Sequence, residues 1–97
     1  MIRSFGNRGT EDVFNGRPTK HARAALPKQL ERRALLKLEQ LDSAGHVDDL
    51  RVPPGNRLEA LRGKRAGQHS IRINDQYRIC FVWTDSGPEA VEIVDYH

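Results

Sequence analysis

The chain has 97 residues, 37% hydrophobic and 30% charged, enough for one small domain over residues 1–97 with a thin core. That length excludes dinucleotide-binding folds, barrels and large hydrolase sheets. The charges nearly balance, 16 Lys and Arg against 13 Asp and Glu for a net +3, so the composition is too evenly charged and too apolar for a disordered tail.

In chain order, Ile2–Phe5 alternates apolar and polar residues as a short first strand, and Gly6 and Gly9 break it. Thr10–Phe14 reads as one or two helical turns, with Thr10 as N-cap and acidic residues just inside. Asn15-Gly16-Arg17-Pro18 ends that piece. Thr19–Leu26 adds another turn or two, limited by Pro27. The strongest helix runs from Pro27 to Ser43, rich in good helix formers, with Leu30, Ala34, Leu38 and Leu41 on one stripe and Leu35 beside it. Gly45 is its natural stop.

After Gly45 the pattern changes. Val52-Pro53-Pro54-Gly55-Asn56 is an extended connector with turn chemistry. Four strands follow, Arg57–Leu61, Gln68–Ile73, Tyr77–Trp83 and Ala90–Tyr96, separated by short Gly- and Asn-containing turns that argue for an antiparallel meander. Alternation sends Ile71, Ile73, Ile79, Phe81 and Trp83 toward the long helix. It sends Ser70, Arg72, Arg78, Cys80 and Val82 to the other face. The fold class is therefore α+β.

Charge is placed unevenly. Arg51–Arg78 holds seven basic and two acidic residues, a local +5, and Ile79–His97 holds four acidic residues and no Lys or Arg. Such a basic segment favours a polyanion, or else forms a solvated face of mixed charge. The four histidines and the single cysteine have no metal-ligand spacing, so neither a metal site nor another cofactor is expected. Cys80 reads as a small buried hydrophobe. A lone thiol suits a reducing cytoplasm, no apolar run approaches the ~20 residues of a membrane span, and the polar opening is unlike a signal peptide. Asp95-Tyr96-His97 places an acid, a phenol and an imidazole in a row directly after a strand, where they are either positioned for proton transfer and phosphate binding or an inert tail.

The run Leu58-x-x-Leu61-x-Gly63-x-Arg65-x-Gly67-x-x-Ser70-Ile71-Arg72, followed by Gln76-Tyr77-Arg78-Ile79, resembles the HigB toxins of bacterial toxin–antitoxin systems, within the RelE-like superfamily of plasmid-maintenance killer proteins. The opening Ile2-Arg3-Ser4-Phe5 and the ending Val91–His97 match as well, as expected of a full-length member. The resemblance implies helices packed on one face of a twisted, mostly antiparallel sheet. It implies a cytoplasmic, ribosome-dependent mRNA endoribonuclease that needs no metal, in which the RNA 2′-hydroxyl attacks the adjacent phosphate. A slower relative that binds RNA or the ribosome and acts as co-repressor is the alternative.

Carried over by position, Arg78 would clamp the phosphate, and Asp95, Tyr96 and His97 would contribute to catalysis and RNA placement. Arg57, Arg62, Lys64, Arg65 and Arg72 would form the RNA-binding surface. Glu59 stands where some members have histidine; it is either a base kept ionised by Arg62 or a structural partner of that arginine. The implied partners are a HigA-type helix-turn-helix antitoxin, the ribosome and mRNA, with operator DNA reached only through the antitoxin and no membrane.

Overall fold

The computed structural model describes residues 1–96; His97 lies outside them. Three helices, α1 (Arg8–Phe14), α2 (Lys20–Ala25) and α3 (Glu31–Ser43), precede four strands, β1 (Glu59–Ala60), β2 (His69–Arg72), β3 (Tyr77–Thr84) and β4 (Gly87–Asp95). The strands form an antiparallel sheet in the order β1-β2-β3-β4. The meander and the α+β class expected from the sequence are both present. Among the described residues no helix is long and apolar enough to cross a membrane.

The helical half differs in its details. Asn7, not Thr10, caps α1: its Oδ1 accepts from Thr10 N at 2.9 Å. Thr10 is buried inside the helix and serves a longer-range purpose. Its Oγ1 donates to Asn7 and accepts from Ile93 N at 2.9 Å, fastening α1 to β4. Gly9 is required by packing, because a Cβ there would lie 2.4 Å from the carbonyl oxygen of His21 in α2. Thr19 caps α2 through Ala22 N and donates to the buried Asp12 at 2.6 Å. The long helix begins as a 3-10 turn, Lys28–Leu30, before the α-helix proper starts at Glu31. Its apolar stripe buries Ala34, Leu38 and Leu41 against Ile71, Ile73, Ile79, Phe81, Val91 and Ile93 of the sheet. Burial of each large aliphatic or aromatic side chain there is worth about 1.5–3 kcal/mol.

The sheet departs from expectation at its edges. Residues 3–6 lie along β4 through Arg3 N to Pro88 O, Val91 N to Ser4 O and Gly6 N to Val91 O, but only Phe5 makes a bridge, parallel to Val91. The strand expected over Arg57–Leu61 shrinks to two residues. Arg57 sits in the left-handed region (φ 46°) as it leaves the 3-10 turn Pro54–Asn56, which delays extension until Glu59. β4 begins three residues earlier than expected, because the hairpin needs only Asp85 and Ser86 at its tip, with Gly87 at φ 121°.

A bulge in β4 sets which residues face which side. Cys80 pairs with Glu92 but Val82 pairs with Glu89, so Ala90 and Val91 together stand opposite Phe81. Ala90 takes φ 51° to accommodate this. The slip by one residue turns Pro88, Val91 and Ile93 toward the helices and leaves Glu89, Glu92 and Val94 on the outer face with Arg78, Cys80 and Val82.

Candidate functional site

The outer face of the sheet is where the basic strand residues collect. Arg72 and Arg78 are directly opposed in the β2–β3 register, and Glu59 of β1 pairs with Ser70 of β2. Next to them, just after β4, lies Tyr96, whose N–H donates to the carbonyl of Gln76 at 2.7 Å, tying this segment to the β2–β3 turn. The result is a cleft of about 290 Å³ lined by Arg57, Glu59, Arg72, Asn74, Asp75, Arg78 and Tyr96.

Arg78 is its most constrained member. Nε donates to Ser70 Oγ at 2.7 Å, and Nη2 donates to the carbonyl oxygens of Arg57 at 2.7 Å and Ser70 at 3.3 Å. The Glu59 carboxylate stands 3.5 Å from Nη2, and the Tyr96 ring lies with its centroid 5.9 Å from the guanidinium carbon. The side chain is 11% exposed. Among the described residues, Nη1 has no hydrogen-bond acceptor, so its two N–H groups are available to an anion. Two opposed guanidiniums would repel one another, and carboxylates offset this: Glu59 pairs with Arg78, and Asp75 with Arg72.

The sequence-derived residues divide into groups. Arg57, Glu59, Arg72, Arg78 and Tyr96 share the cleft. Arg65 lies on the same face but is bound to Glu92 at 2.9 Å and Gln68 at 3.0 Å, and that carboxylate raises the guanidinium pKa above its ordinary value. Cys80 lies fully buried nearby, and burial raises its thiol pKa. Arg62 and Lys64 are exposed on the β1–β2 connection and, among the described residues, form no ion pair. The expected pairing of Glu59 with Arg62 is replaced by Glu59 with Arg78.

Asp95 faces the opposite side of the sheet. It accepts from Gln76 Nε2 at 3.0 Å and lines a separate cleft with Asn7, Arg8, His21 and Tyr77. Strand alternation imposes this split: adjacent residues Asp95 and Tyr96 leave the sheet on opposite faces. His97 was expected to complete the group and lies outside the described residues. Ser70, Asn74 and Asp75 were not singled out from sequence. Ser70 had a legible signal, a small polar residue on the same face as Arg72, whereas Asn74 and Asp75 join the site only because the turn after β2 folds over it. Among the described residues no group of three or more His, Cys, Asp or Glu is arranged to hold a metal ion.

The arrangement can hold a phosphate by charge and two-pronged hydrogen bonding, with a carboxylate and a phenol alongside. A family model described as the RelE-like toxin of type II toxin–antitoxin system HigB matches residues 4–97. The chain belongs to that family. Toxin HigB-1 of Vibrio cholerae serotype O1 is 50% identical over 60 residues, which is 62% of this chain and 63% of that protein. An uncharacterized protein of Haemophilus influenzae is 34% identical over 61 residues, 63% of this chain and 60% of that one. The matches thus span somewhat under two thirds of these two relatives. Endoribonuclease HigB of Proteus vulgaris is 28% identical over 97 residues, all of both chains. Among solved structures, a YoeB–YefM complex from Staphylococcus aureus shares the fold, with a TM-score of 0.61 over 100% of this chain and 98% of that one at 14% identity.

Proposed function

We propose that this HigB-family toxin is an endoribonuclease that cuts mRNA on the ribosome without a metal ion. The reading is carried by one observation: Arg78 lines a cleft shared with a carboxylate, Glu59, and a phenol, Tyr96, and its Nη1 has no acceptor among the described residues. It is supported by the family match and by a relative named as an endoribonuclease.

In the mechanism, a 2′-hydroxyl attacks the adjacent phosphorus, the P–O5′ bond breaks, and the 5′-oxygen leaves with a proton taken from water; a second water can later open the cyclic product. The product is a 2′,3′-cyclic phosphate or its 3′-phosphate, with a 5′-hydroxyl on the other fragment. Charge builds on the non-bridging oxygens of the phosphorane, and the Nη1 donors of Arg78 stabilise it. Glu59, about half exposed beside the clamp, accepts the 2′-hydroxyl proton. Once an RNA phosphate takes up the charge of Arg78, the carboxylate is released from its ion pair to do so. Tyr96 hydrogen-bonds a phosphate oxygen or packs on a base. Asp95 acts at a distance, by holding the strand end that carries Tyr96 through Gln76.

The partners of this reading are the cytoplasmic ribosome with its mRNA and a HigA-type helix-turn-helix antitoxin, with operator DNA bound by the antitoxin. A second reading, a binding protein that cleaves poorly and acts as co-repressor, draws on the carboxylates that already neutralise Arg72 and Arg78. The test is incubation with mRNA-loaded ribosomes and analysis of product ends. Fragments with 5′-hydroxyl and cyclic or 3′-phosphate ends are expected. A 5′-phosphate with a free 3′-hydroxyl would overturn the mechanism, and binding without cleavage would favour the second reading.

A further inference from the structure

We infer that Ser70 is the positioning residue of the cleft: together with the backbone carbonyl of Arg57, it fixes the plane of the Arg78 guanidinium so that the Nη1 edge faces the phosphate. The inference rests on Arg78 being the phosphate clamp.

Ser70 is fully buried on the sheet face that carries Glu59, Arg72 and Arg78. A buried hydroxyl needs a partner, and here it is Arg78 Nε at 2.7 Å. The carbonyl of the same residue receives Nη2 at 3.3 Å, so Ser70 grips two corners of the guanidinium. The third contact is the Arg57 carbonyl at 2.7 Å. That carbonyl is itself held in place. Arg57 adopts φ 46° and ψ 55°, and the preceding Asn56 is buried, with Nδ2 donating to Gln40 Oε1 at 3.0 Å and to the Leu50 carbonyl at 3.1 Å.

A guanidinium is planar, so fixing Nε and Nη2 fixes Nη1. Loss of the serine hydroxyl removes the only acceptor of Nε among the described residues and lets the plane turn about its remaining Nη2 contacts. The Nη1 donors then miss the developing charge. A misplacement of about 1 Å in a catalytic group is enough to cost ~10² in rate.

The experiment is single-turnover cleavage of mRNA on programmed ribosomes by the full chain, with Ser70→Ala made in the wild-type and in the Arg78→Lys backgrounds. In wild type, Ser70→Ala is expected to slow cleavage by about tenfold to a hundredfold. The toxin concentration for half-maximal rate should barely move, and the melting transition should remain cooperative. Ser70→Thr, which keeps the hydroxyl, should recover most of the rate. In Arg78→Lys, where there is no guanidinium plane to set, Ser70→Ala should cost less than about twofold. Should alanine destabilise the sheet, Ser70→Cys fills nearly the same space with a weak acceptor and should show the same loss. An equal fold-loss in both backgrounds, or a wild-type rate in a folded Ser70→Ala or Ser70→Cys chain, would overturn the assignment of Ser70 alone. Failure of the wild-type chain to cleave at all would overturn the cleavage reading, and this inference with it.

Discussion

In the proposed mechanism Arg78 serves two purposes at once, and its substitution should register in both. Three of its contacts are to groups of the scaffold, Ser70 Oγ and the carbonyls of Ser70 and Arg57. Arg78→Ala removes these contacts, which costs about 1–3 kcal/mol for a buried acceptor such as Ser70 Oγ left without a partner, and removes the proposed phosphate clamp. The expected outcome is loss of growth arrest and a cleavage rate down by ~10² or more, in a chain that still folds but melts at lower temperature. Arg78→Lys should restore only part of the rate, since an ammonium lacks the two-pronged edge. Single-turnover kinetics with parallel thermal melts separates the effects, and a wild-type rate in a folded Arg78→Ala chain would disprove the clamp.

Asp12 shows the same logic applied to stability. Its carboxylate is buried, and the Thr19 hydroxyl, together with Arg8 and Arg17, lowers its pKa below the ordinary 3.8 despite the opposing effect of burial. A depressed folded-state pKa means the carboxylate's contribution is present above about pH 3.8 and is lost as the pH falls through the folded value. Urea midpoints measured between pH 6 and pH 3 should therefore fall less steeply at the acid end for Asp12→Asn than for wild type; parallel curves would refute this. At this scale the site was half legible. Period-two alternation alone puts Arg72 and Arg78 side by side. The carboxylates that face them come from β1 and from a turn, and no local pattern connects Glu59 to a residue nineteen positions later.

The elements carry a different lesson, clearest in β4. Alternation along Ala90–Tyr96 reads the strand without a break, yet the bulge at Ala90 and Val91 is what brings Val91 and Ile93 into the core and Glu92 out to Arg65. A bulge arises from the pairing of two strands and is invisible in one. α1 was misread for a related reason: Thr10 is a good capping residue by type, but its hydroxyl is engaged with Ile93, far along the chain, and Asn7 takes the cap. What was legible were long-period features, the apolar stripe of α3 and the spacing of turns between strands. The bulge also makes a prediction. Ala90 holds φ 51°, a conformation that costs an L-residue about 1–2 kcal/mol. Ala90→Gly relieves that strain and increases the entropy of the unfolded chain, so the net gain should be under ~1 kcal/mol. Ala90→Val, whose β-branch is least tolerant of positive φ, should lower the melting temperature. Thermal melts of the pair check this, and a Val variant as stable as the Gly variant would show that the bulge relaxes.

Across the whole molecule, folding rearranges the charge asymmetry of the sequence. The basic segment runs directly into the acidic one, and β3–β4 pairing folds the second back so that Glu92 stands against Arg65, while Asp75 and Glu59, the two acids within the basic segment, meet Arg72 and Arg78. Much of the local +5 is thus neutralised within the fold. Among the described residues of that segment, Arg57 at the cleft and Arg62 and Lys64 on the connection between β1 and β2 are exposed and form no ion pair, and they are the cations left to attract a polyanion at long range. This separates the basic residues into two classes with different signatures. Arg62→Ala and Lys64→Ala should weaken binding to mRNA-loaded ribosomes. Each should lower the slope of log K against log salt by up to about 1, with the bound-state cleavage rate unchanged. Arg65→Ala should scarcely alter the salt slope, because its charge is already matched by Glu92. It should instead lower stability by about 1 kcal/mol, the order expected of a well-formed, partly buried ion pair. Binding titrations between 50 and 200 mM salt, alongside melting curves, discriminate the classes. If Arg65→Ala flattens the salt dependence as much as Lys64→Ala does, the Arg65–Glu92 pair opens to receive RNA and Arg65 belongs with the binding surface after all.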